Sequence, residues 1–180
     1  MFIVLQVIVG WFYSHLIEYF LHKYVLHNPK RKKWFRTHFA DHHRTARHLS
    51  MIDPKYLGRP RWNGDPELKG LVVLGMLHLP LVFWFPFAYI VLIAGEINYY
   101  NLHSLSHQDI HWARKYLPWH YDHHIAPDQN ANWGVRLPMI DYLFGSRIKF
   151  KGTKKEIIRY HFLKNRIEKT IEHLQQARND

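Results

Sequence analysis

The sequence predicts an all-α integral membrane protein, in which an N-terminal span and a short helical hairpin carry a cytoplasmic, histidine-rich helical cap. Two blocks, residues 1–22 and 70–113, contain no Lys or Arg. The 16 histidines outnumber the 14 acidic residues, and the formal net charge is +11. Cytoplasmic segments of membrane proteins carry excess positive charge, so we expect the basic segments 23–69 and 114–178 there. Residues 1–180 are expected to form one domain.

Charge placement and the absence of cysteine exclude several functions. A basic protein can bind nucleic acid or anionic lipid. A nucleic-acid-binding protein has no need to keep its charges out of two apolar blocks, so no nucleic-acid partner is expected. The chain contains no cysteine, which excludes disulfides, a cysteine nucleophile and iron centres bound by thiolates.

The first apolar block has the length of one membrane crossing, since a span takes roughly 20 residues. Gln6, Ser14, His15 and Glu18 interrupt residues 2–21, which indicates that one helix face is turned toward protein. The alternative interpretation is a buried helix in a soluble core.

The second apolar block, residues 71–95, also admits two interpretations. It has the length of a single tilted span. Pro80 and Pro86 lie inside it, so the second interpretation is a tight helical hairpin that turns near Pro86.

The polar segments contain a predicted loop and a predicted helix. The stretch from Pro54 to Pro66 is rich in proline and glycine and is predicted to be a loop. Residues 153–178 are predicted to form an amphipathic helix, because apolar residues recur at helical spacing after Thr153 and Glu156, which have the capping-box pattern. This helix would cap the domain or lie on the membrane surface.

Ten histidines fall into four spaced clusters, which is hard to explain as ordinary surface or core composition. Residues three or four apart share a helix face, so His38 with His42, His103 with His107, and His120 with His123 are each expected to point at one place. Adjacent histidines diverge by about 100° around a helix and can reach two different metals. The clusters are His22 and His27; His38, His42 and His43; His103 and His107; and His120, His123 and His124.

The remaining histidines and the nearby acids have plainer interpretations. His22 and His27 are five apart and share a face only if His27 lies at a fraying helix end. Glu18, Asp41 and Asp122 are candidates to orient ligand imidazoles, or are solvated charges. The other histidines are interpreted as surface or core residues, with two left open as site-lining: His48, His78, His161 and His173, and then His15 and His111.

These clusters resemble those of the fatty acid hydroxylase / sterol desaturase family over residues 18–145. The segments Asn132-Trp133-Gly134-Val135 and Ile140 to Ser146 resemble the family's Asn-aromatic-Gly element and its Trp-Asp-x-Leu-Phe-Gly-Thr ending. Two departures are visible. Three residues separate His38 from His42 where many members have two, and Ile140 stands where Trp is usual.

The resemblance implies a non-haem di-iron centre that activates O2, with the ten clustered histidines as its ligands. Zinc is expected as a substitute in purified protein. The implied reaction is hydroxylation of a lipid or another hydrophobic substrate, with desaturation as the alternative. No cytochrome-like segment is recognised, so a separate electron-donor protein is expected. A rival from another class is a membrane metal transporter or metal-binding protein.

The positions of the clusters favour the enzyme and fix the expected topology. A transporter would place its ligands near mid-membrane, whereas the clusters lie at the polar ends of the apolar blocks. All four must meet on one side, so residues 71–95 must form the hairpin, with the N-terminus outside and the C-terminus inside. Glu96, Asn98 and Asn101 would line a substrate channel, orient the third cluster or lie in the interface.

Overall fold

Helices form all the regular structure in residues 1–57 and 65–179, the part of the chain that the computed structural model describes, with side chains described as far as residue 168. This confirms the predicted all-α class. Two of the segments, π1 and π2, are π-helical. The elements are α1 (Phe2–Leu21), π1 (His22–Leu26), α2 (Lys32–Phe35), π2 (Arg36–His43), α3 (Arg44–His48), a 3₁₀ turn (Pro54–Tyr56), α4 (Pro66–Leu77), α5 (Leu81–Trp84), α6 (Pro86–Ser106), α7 (Ile110–Tyr116), α8 (Pro118–Ile125), α9 (Met139–Leu143) and α10 (Lys154–Asn179).

Helix α1 buries its polar and small residues and exposes its apolar ones. Gln6, Ser14 and His15 are buried, whereas Phe2 is 62% and Ile8 57% exposed. A soluble core helix would show the opposite pattern, so the inverted pattern indicates a lipid environment. By length and composition alone, one helical segment in the described part of the chain, Phe2–Leu26, is suited to cross a membrane.

Small residues let α1 and α6 approach closely. A Cβ on Gly10 would lie 2.8 Å from the Ala88 backbone, and one on Gly95 would meet the Ser14 side chain at 3.2 Å. Close packing at small residues is a common means of helix association in lipid. The Phe87 N–H, which the start of α6 leaves unpaired, donates to the Gln6 side chain at 3.1 Å.

The second apolar block forms the hairpin that the sequence predicts. Asp65 caps α4 by accepting from the Glu67 and Leu68 N–H groups. The chain reverses through residues 78–85, which include α5, and Pro86 is the first residue of α6. With 12 residues, α4 is about 18 Å long, less than the roughly 30 Å hydrocarbon core. Both α1 and α4 pack against α6 but make little contact with each other, which leaves a cleft between them.

The predicted loop and C-terminal helix are confirmed where they are described. The loop begins with the 3₁₀ turn, and residues 58–64 lie outside the described chain. Helix α10 runs from Lys154 to Asn179, and the Glu156 N–H donates to the Thr153 hydroxyl at 3.1 Å. The Glu156 carboxylate accepts from the Gly152 N–H rather than from Thr153, which modifies the expected capping box.

The buried Glu156 carboxylate fixes α10 to the cap. It accepts hydrogen bonds from Arg114 at 2.8 Å and from the Tyr121 hydroxyl at 2.8 Å. Burial alone would raise the pKa of this carboxyl, but the hydrogen bonds from Arg114, Gly152 and Tyr121 lower the pKa below its usual value. The ionised carboxylate therefore stabilises the folded state.

We expect Glu156→Gln to lower the free energy of unfolding by about 1–3 kcal/mol at pH 7, because the buried donors lose a charged acceptor. The folded-state pKa lies below that of the unfolded chain, about 4.3. The stabilisation is therefore complete above that pH and is lost as the pH falls through the folded-state pKa. Thermal unfolding in detergent at a series of pH values measures the difference. Glu168→Gln, at an exposed ion pair, is the control; a difference between wild type and Glu156→Gln that does not change with pH contradicts this account.

Candidate metal centre

All ten clustered histidines are buried and lie together where α1, π2, α6 and α8 meet. Nine of them form two groups, in each of which the candidate ligand nitrogens lie within 4.8 Å of one another. The tenth, His120, borders the second group, with its Nε2 3.1 Å from the His107 Nε2. The first group is His22, His27, His38, His43 and His123, and the second group is His42, His103, His107 and His124.

A π-turn brings His22 and His27 together. The His27 N–H donates to the His22 carbonyl at 3.1 Å, which is the i→i+5 bond of a π-helix. Residues five apart therefore face the same way. His27 lies at a helix end, as expected, but that end is a π-turn closed by a hydrogen bond rather than a frayed turn.

The segment π2 corrects the expected pairing of the second cluster. Within this π-helix His38 shares the first group with His43, five residues on, while His42 belongs to the second group. The expectation that His38 and His42 point at one place is therefore wrong, because it assumed α-helical spacing. The neighbours His42 and His43 diverge, as expected, and lie in different groups.

Helix α8 shows the same division with ordinary helical geometry. His123 lies in the first group and His124 in the second, and the His120 and His124 ring centroids are 4.6 Å apart. Residues four apart differ by about 40° around a helix and residues three apart by about 60°. The expected pairing of His120 with His123 is therefore wrong, and His120 accompanies His124. The expected pair His103 and His107 does share one group.

Backbone carbonyls fix the orientation of three imidazoles. The Nδ1 atoms of His22, His107 and His123 lie 2.6 Å, 2.8 Å and 2.6 Å from the carbonyl oxygens of residues 133, 51 and 131. A carbonyl can only accept, so each Nδ1 carries the proton and donates it. Each Nε2 therefore keeps a lone pair that points into its group. A histidine that binds a metal through Nε2 requires this tautomer.

Two carboxylates fix the orientation of two further imidazoles, both in the second group. The Asp53 carboxylate lies 2.7 Å from His42 Nδ1, and the Glu67 carboxylate lies 2.6 Å from His103 Nδ1. The Tyr56 hydroxyl donates to Glu67 and contacts His103. Sequence reasoning missed both acids. The available signal was that they are two of only four acidic residues between the second and third clusters.

The acids that the sequence suggested have other roles. The Glu18 carboxylate accepts from the Arg136 N–H at 3.0 Å and pairs with its guanidinium. Asp122 pairs with Arg147 at 2.8 Å. Asp41 is more than half exposed and lies 3.6 Å from Arg44, so its interpretation as a solvated charge is confirmed.

The Asn-Trp-Gly-Val segment presents the Trp133 carbonyl that orients His22, and Ala131, just before the segment, presents the carbonyl that orients His123. Asp141, which is fully buried, accepts from the Trp133 and Gly134 N–H groups at 2.8 Å each. A Cβ on Gly134 would lie 2.3 Å from the Leu137 carbonyl oxygen, so only glycine fits this turn. Ile140, where the family usually has Trp, is buried beside Trp133.

The inward nitrogens fit a cation. The Nε2 atoms of His42 and His103, and both ring nitrogens of His124, are buried without a hydrogen-bond partner in the described structure. Burial and neighbouring imidazoles hold the pKa of His42, His43 and His123 well below its usual value. These rings are therefore neutral, and converging neutral lone pairs without donors are what a bound metal satisfies.

The other described histidines lie outside both groups. The His111 Nδ1 contacts the Tyr160 hydroxyl, His78 contacts the Tyr13 hydroxyl at 2.9 Å, and His15 is 4.0 Å from Glu18. His48 and His161 are exposed, as expected. The side chain of His173 lies outside the described part of the chain.

A cavity of about 420 Å³ occupies the cleft between α1 and α4 and reaches the first group at His22 and His38. Its walls are mainly apolar, with Leu21, Leu74 and Leu92 among them. Glu96 lines the cavity, whereas Asn98 and Asn101 are exposed.

The comparisons with known proteins found one kind of support. No family model matches the chain, and no solved structure matches it. It is 23% identical over 162 residues to a dihydroceramide fatty acyl 2-hydroxylase of Arabidopsis thaliana. The match covers 83% of this chain and 63% of that protein, so the chain spans less than two thirds of its relative's length. This similarity and the histidine groups support the resemblance of the chain to the fatty acid hydroxylase family.

Proposed function

We propose that this chain is an integral membrane, O2-dependent di-iron oxygenase that hydroxylates a lipid or another hydrophobic substrate. The observation that carries the proposal is a pair of buried histidine groups, with lone pairs facing inward, at the end of an apolar cavity. The second candidate, desaturation, would use the same site and is separated from hydroxylation by the product.

Each histidine group would hold one iron ion. His22, His27, His38, His43 and His123 would hold the first, and the second group together with His120 would hold the other. Imidazole suits iron, zinc, copper and nickel alike, so the choice of iron rests on the family resemblance, and zinc fits the same ligands. When bound, the irons would supply the activation of O2 that attack on a C–H bond needs.

The protein itself would position the substrate and exclude water. The relative in Arabidopsis thaliana is named for the fatty acyl group of dihydroceramide, and an acyl chain suits an apolar cleft of about 420 Å³. The side chains of α1 and α4 that face lipid, such as Val73 at 51% exposed, would admit the chain from the bilayer. The cleft would then bring it to His22 and His38.

The balance of the reaction requires an external reductant. Hydroxylation inserts one oxygen atom of O2 into a C–H bond and reduces the other to water, which consumes two electrons and two protons. The chain has no cysteine for an iron–sulfur cluster or a redox disulfide. We propose that a separate electron-donor protein supplies both electrons.

The proposed topology places the metal site on the cytoplasmic face. The basic segments that flank the histidine clusters follow the positive-inside rule. The hairpin of α4, α5 and α6 enters and leaves on one side, so all four clusters lie on the same face as the C-terminus. A metal transporter would instead need its ligands near mid-membrane.

The reaction is tested with O2 labelled with ¹⁸O, a reductase system and membranes that contain the protein. We expect one labelled oxygen atom in a lipid product, analysed by mass spectrometry, and we expect the product to disappear in His123→Ala but not in His161→Ala. A new double bond without label would assign desaturation. No oxygen-dependent change in fatty acyl lipids, sterols or carotenoids would contradict the enzyme and favour metal handling.

Metal content tests the assignment of the two groups. Purified protein should hold about two transition-metal ions per chain. Asp53→Asn combined with Glu67→Gln should weaken the second group alone, because loss of such partners lowers metal affinity about 10- to 100-fold. Elemental analysis should then approach one ion per chain, while Asp41→Asn, at an exposed acid, keeps two. Equal occupancy in the double variant and the wild type would contradict these roles.

Labelling of single cysteines tests the topology, since the chain has none of its own. Cysteines at His48 and Asn130, which are exposed, should react with a membrane-impermeant maleimide only from the cytoplasmic side. Phe83→Cys, at the 80% exposed hairpin turn, should not react from that side, because the turn lies in lipid or beyond it. Labelling of residue 83 together with residue 48 from the cytoplasm would overturn the hairpin model.

A further inference from the structure

A basic groove lies on the surface beside the first histidine group. It is formed by π2, α3, the segment after α8 and α10. We call it the basic groove, and its lining includes Phe35, Phe39, Arg44, Arg47, Gln129 and Arg166.

The floor of the basic groove touches the histidines. The Phe39 ring centroid is 4.9 Å from that of His27 and 5.4 Å from that of His43. Phe35 stacks on Phe39 with 5.0 Å between ring centroids and 21° between planes. Two aromatic rings therefore connect this surface to the first group.

One wall of the basic groove is joined to the second group. Arg47 donates to the carbonyl of His124 and to that of Ala126, each at 2.8 Å. The groove therefore lies beside the backbone that carries His124 of the second group, and Phe39 separates it from the rings of the first group.

The charge of the basic groove is strongly positive. The Arg44 side chain is 79% exposed, and Arg47 and Arg166 line the same groove. The described lining residues include no carboxylate; the neighbouring Asp41 is 3.6 Å from Arg44. The preceding helical run adds Lys32, Lys33 and Arg36, all exposed.

We propose that the basic groove is the docking site for an acidic electron-carrier protein. The inference rests on the proposed function. That reaction consumes two electrons per turnover, and under the proposal they come from another protein. Complementary charge steers such a partner to its site, and the aromatic floor brings its redox centre close to the first histidine group. Anionic lipid would satisfy the arginines but would make no use of a concave floor that contacts the metal ligands.

Charge reversal on the basic groove tests the proposal. The groove variant carries both Arg44→Glu and Arg166→Glu. The control variant carries both Lys115→Glu and Lys149→Glu, at exposed positions outside the groove. The probe is an acidic plant-type 2Fe–2S ferredoxin, reduced beforehand and mixed by stopped flow with iron-loaded protein in neutral detergent. We expect the second-order rate constant of electron transfer to fall about tenfold or more at low salt in the groove variant only. The loss should shrink at high salt, where the charges are screened.

Two further measurements make the outcome decisive. Metal content and reduction by dithionite should be unchanged in the groove variant, which shows an intact centre. Binding of oxidised ferredoxin, followed by titration, does not depend on any lipid product, so it can succeed even if the proposed hydroxylation fails. Equal losses in the groove and control variants would overturn the proposal. So would a groove variant that loses only its affinity for phosphatidylglycerol nanodiscs, which would make this surface a lipid contact.

Discussion

The rest of the structure depends on burying ten imidazoles in one small volume with their lone pairs turned inward. Burial lowers the pKa of rings such as His42, His43 and His123 and so keeps them neutral. A neutral imidazole has one donor and one acceptor nitrogen. In five of the rings a hydrogen bond from Nδ1 decides that Nε2 faces inward. The acceptors are the carbonyls of residues 51, 131 and 133 and the carboxylates of Asp53 and Glu67. Asp141 serves the same end, because it holds the backbone of Trp133 and Gly134, and the Trp133 carbonyl orients His22.

The packing of α1 and the hairpin positions the histidine groups and forms the apolar cleft that leads to them. Because the inverted burial of α1 indicates a lipid environment, polar groups are concentrated inside the protein. The Glu18 carboxylate accepts from the backbone N–H groups of residues 135 and 136 and so ties α1 to the segment between α8 and α9. Small residues bring α1 against α6, while α4 remains apart. The same packing therefore fixes His22 and His103 relative to each other and leaves the cleft that reaches them.

The sequence predicted the composition of the site better than its internal pairing. Spacing selected the ten histidines, and the requirement that their four clusters meet on one side of the membrane predicted the hairpin. The pairing of His38 with His42 failed because nothing in the local sequence distinguishes a π-turn from an α-turn. Asp53 and Glu67 were missed because they flank a Pro-rich connection, whose path and therefore whose two ends depend on tertiary packing. Helical spacing predicted that Glu18 orients a ligand histidine, but its carboxylate forms an ion pair with Arg136.

The π-helical segment π2 accounts for the unusual spacing of the second histidine cluster. An α-turn joins side chains four apart on one face, and a π-turn joins side chains five apart. The extra residue between His38 and His42, relative to many sequences of the resembling family, is absorbed in that wider turn. His38 and His43 remain partners, and the helix beyond them keeps its direction. The wider turn therefore lets a spacing that departs from the motif still bring His38 and His43 into one histidine group.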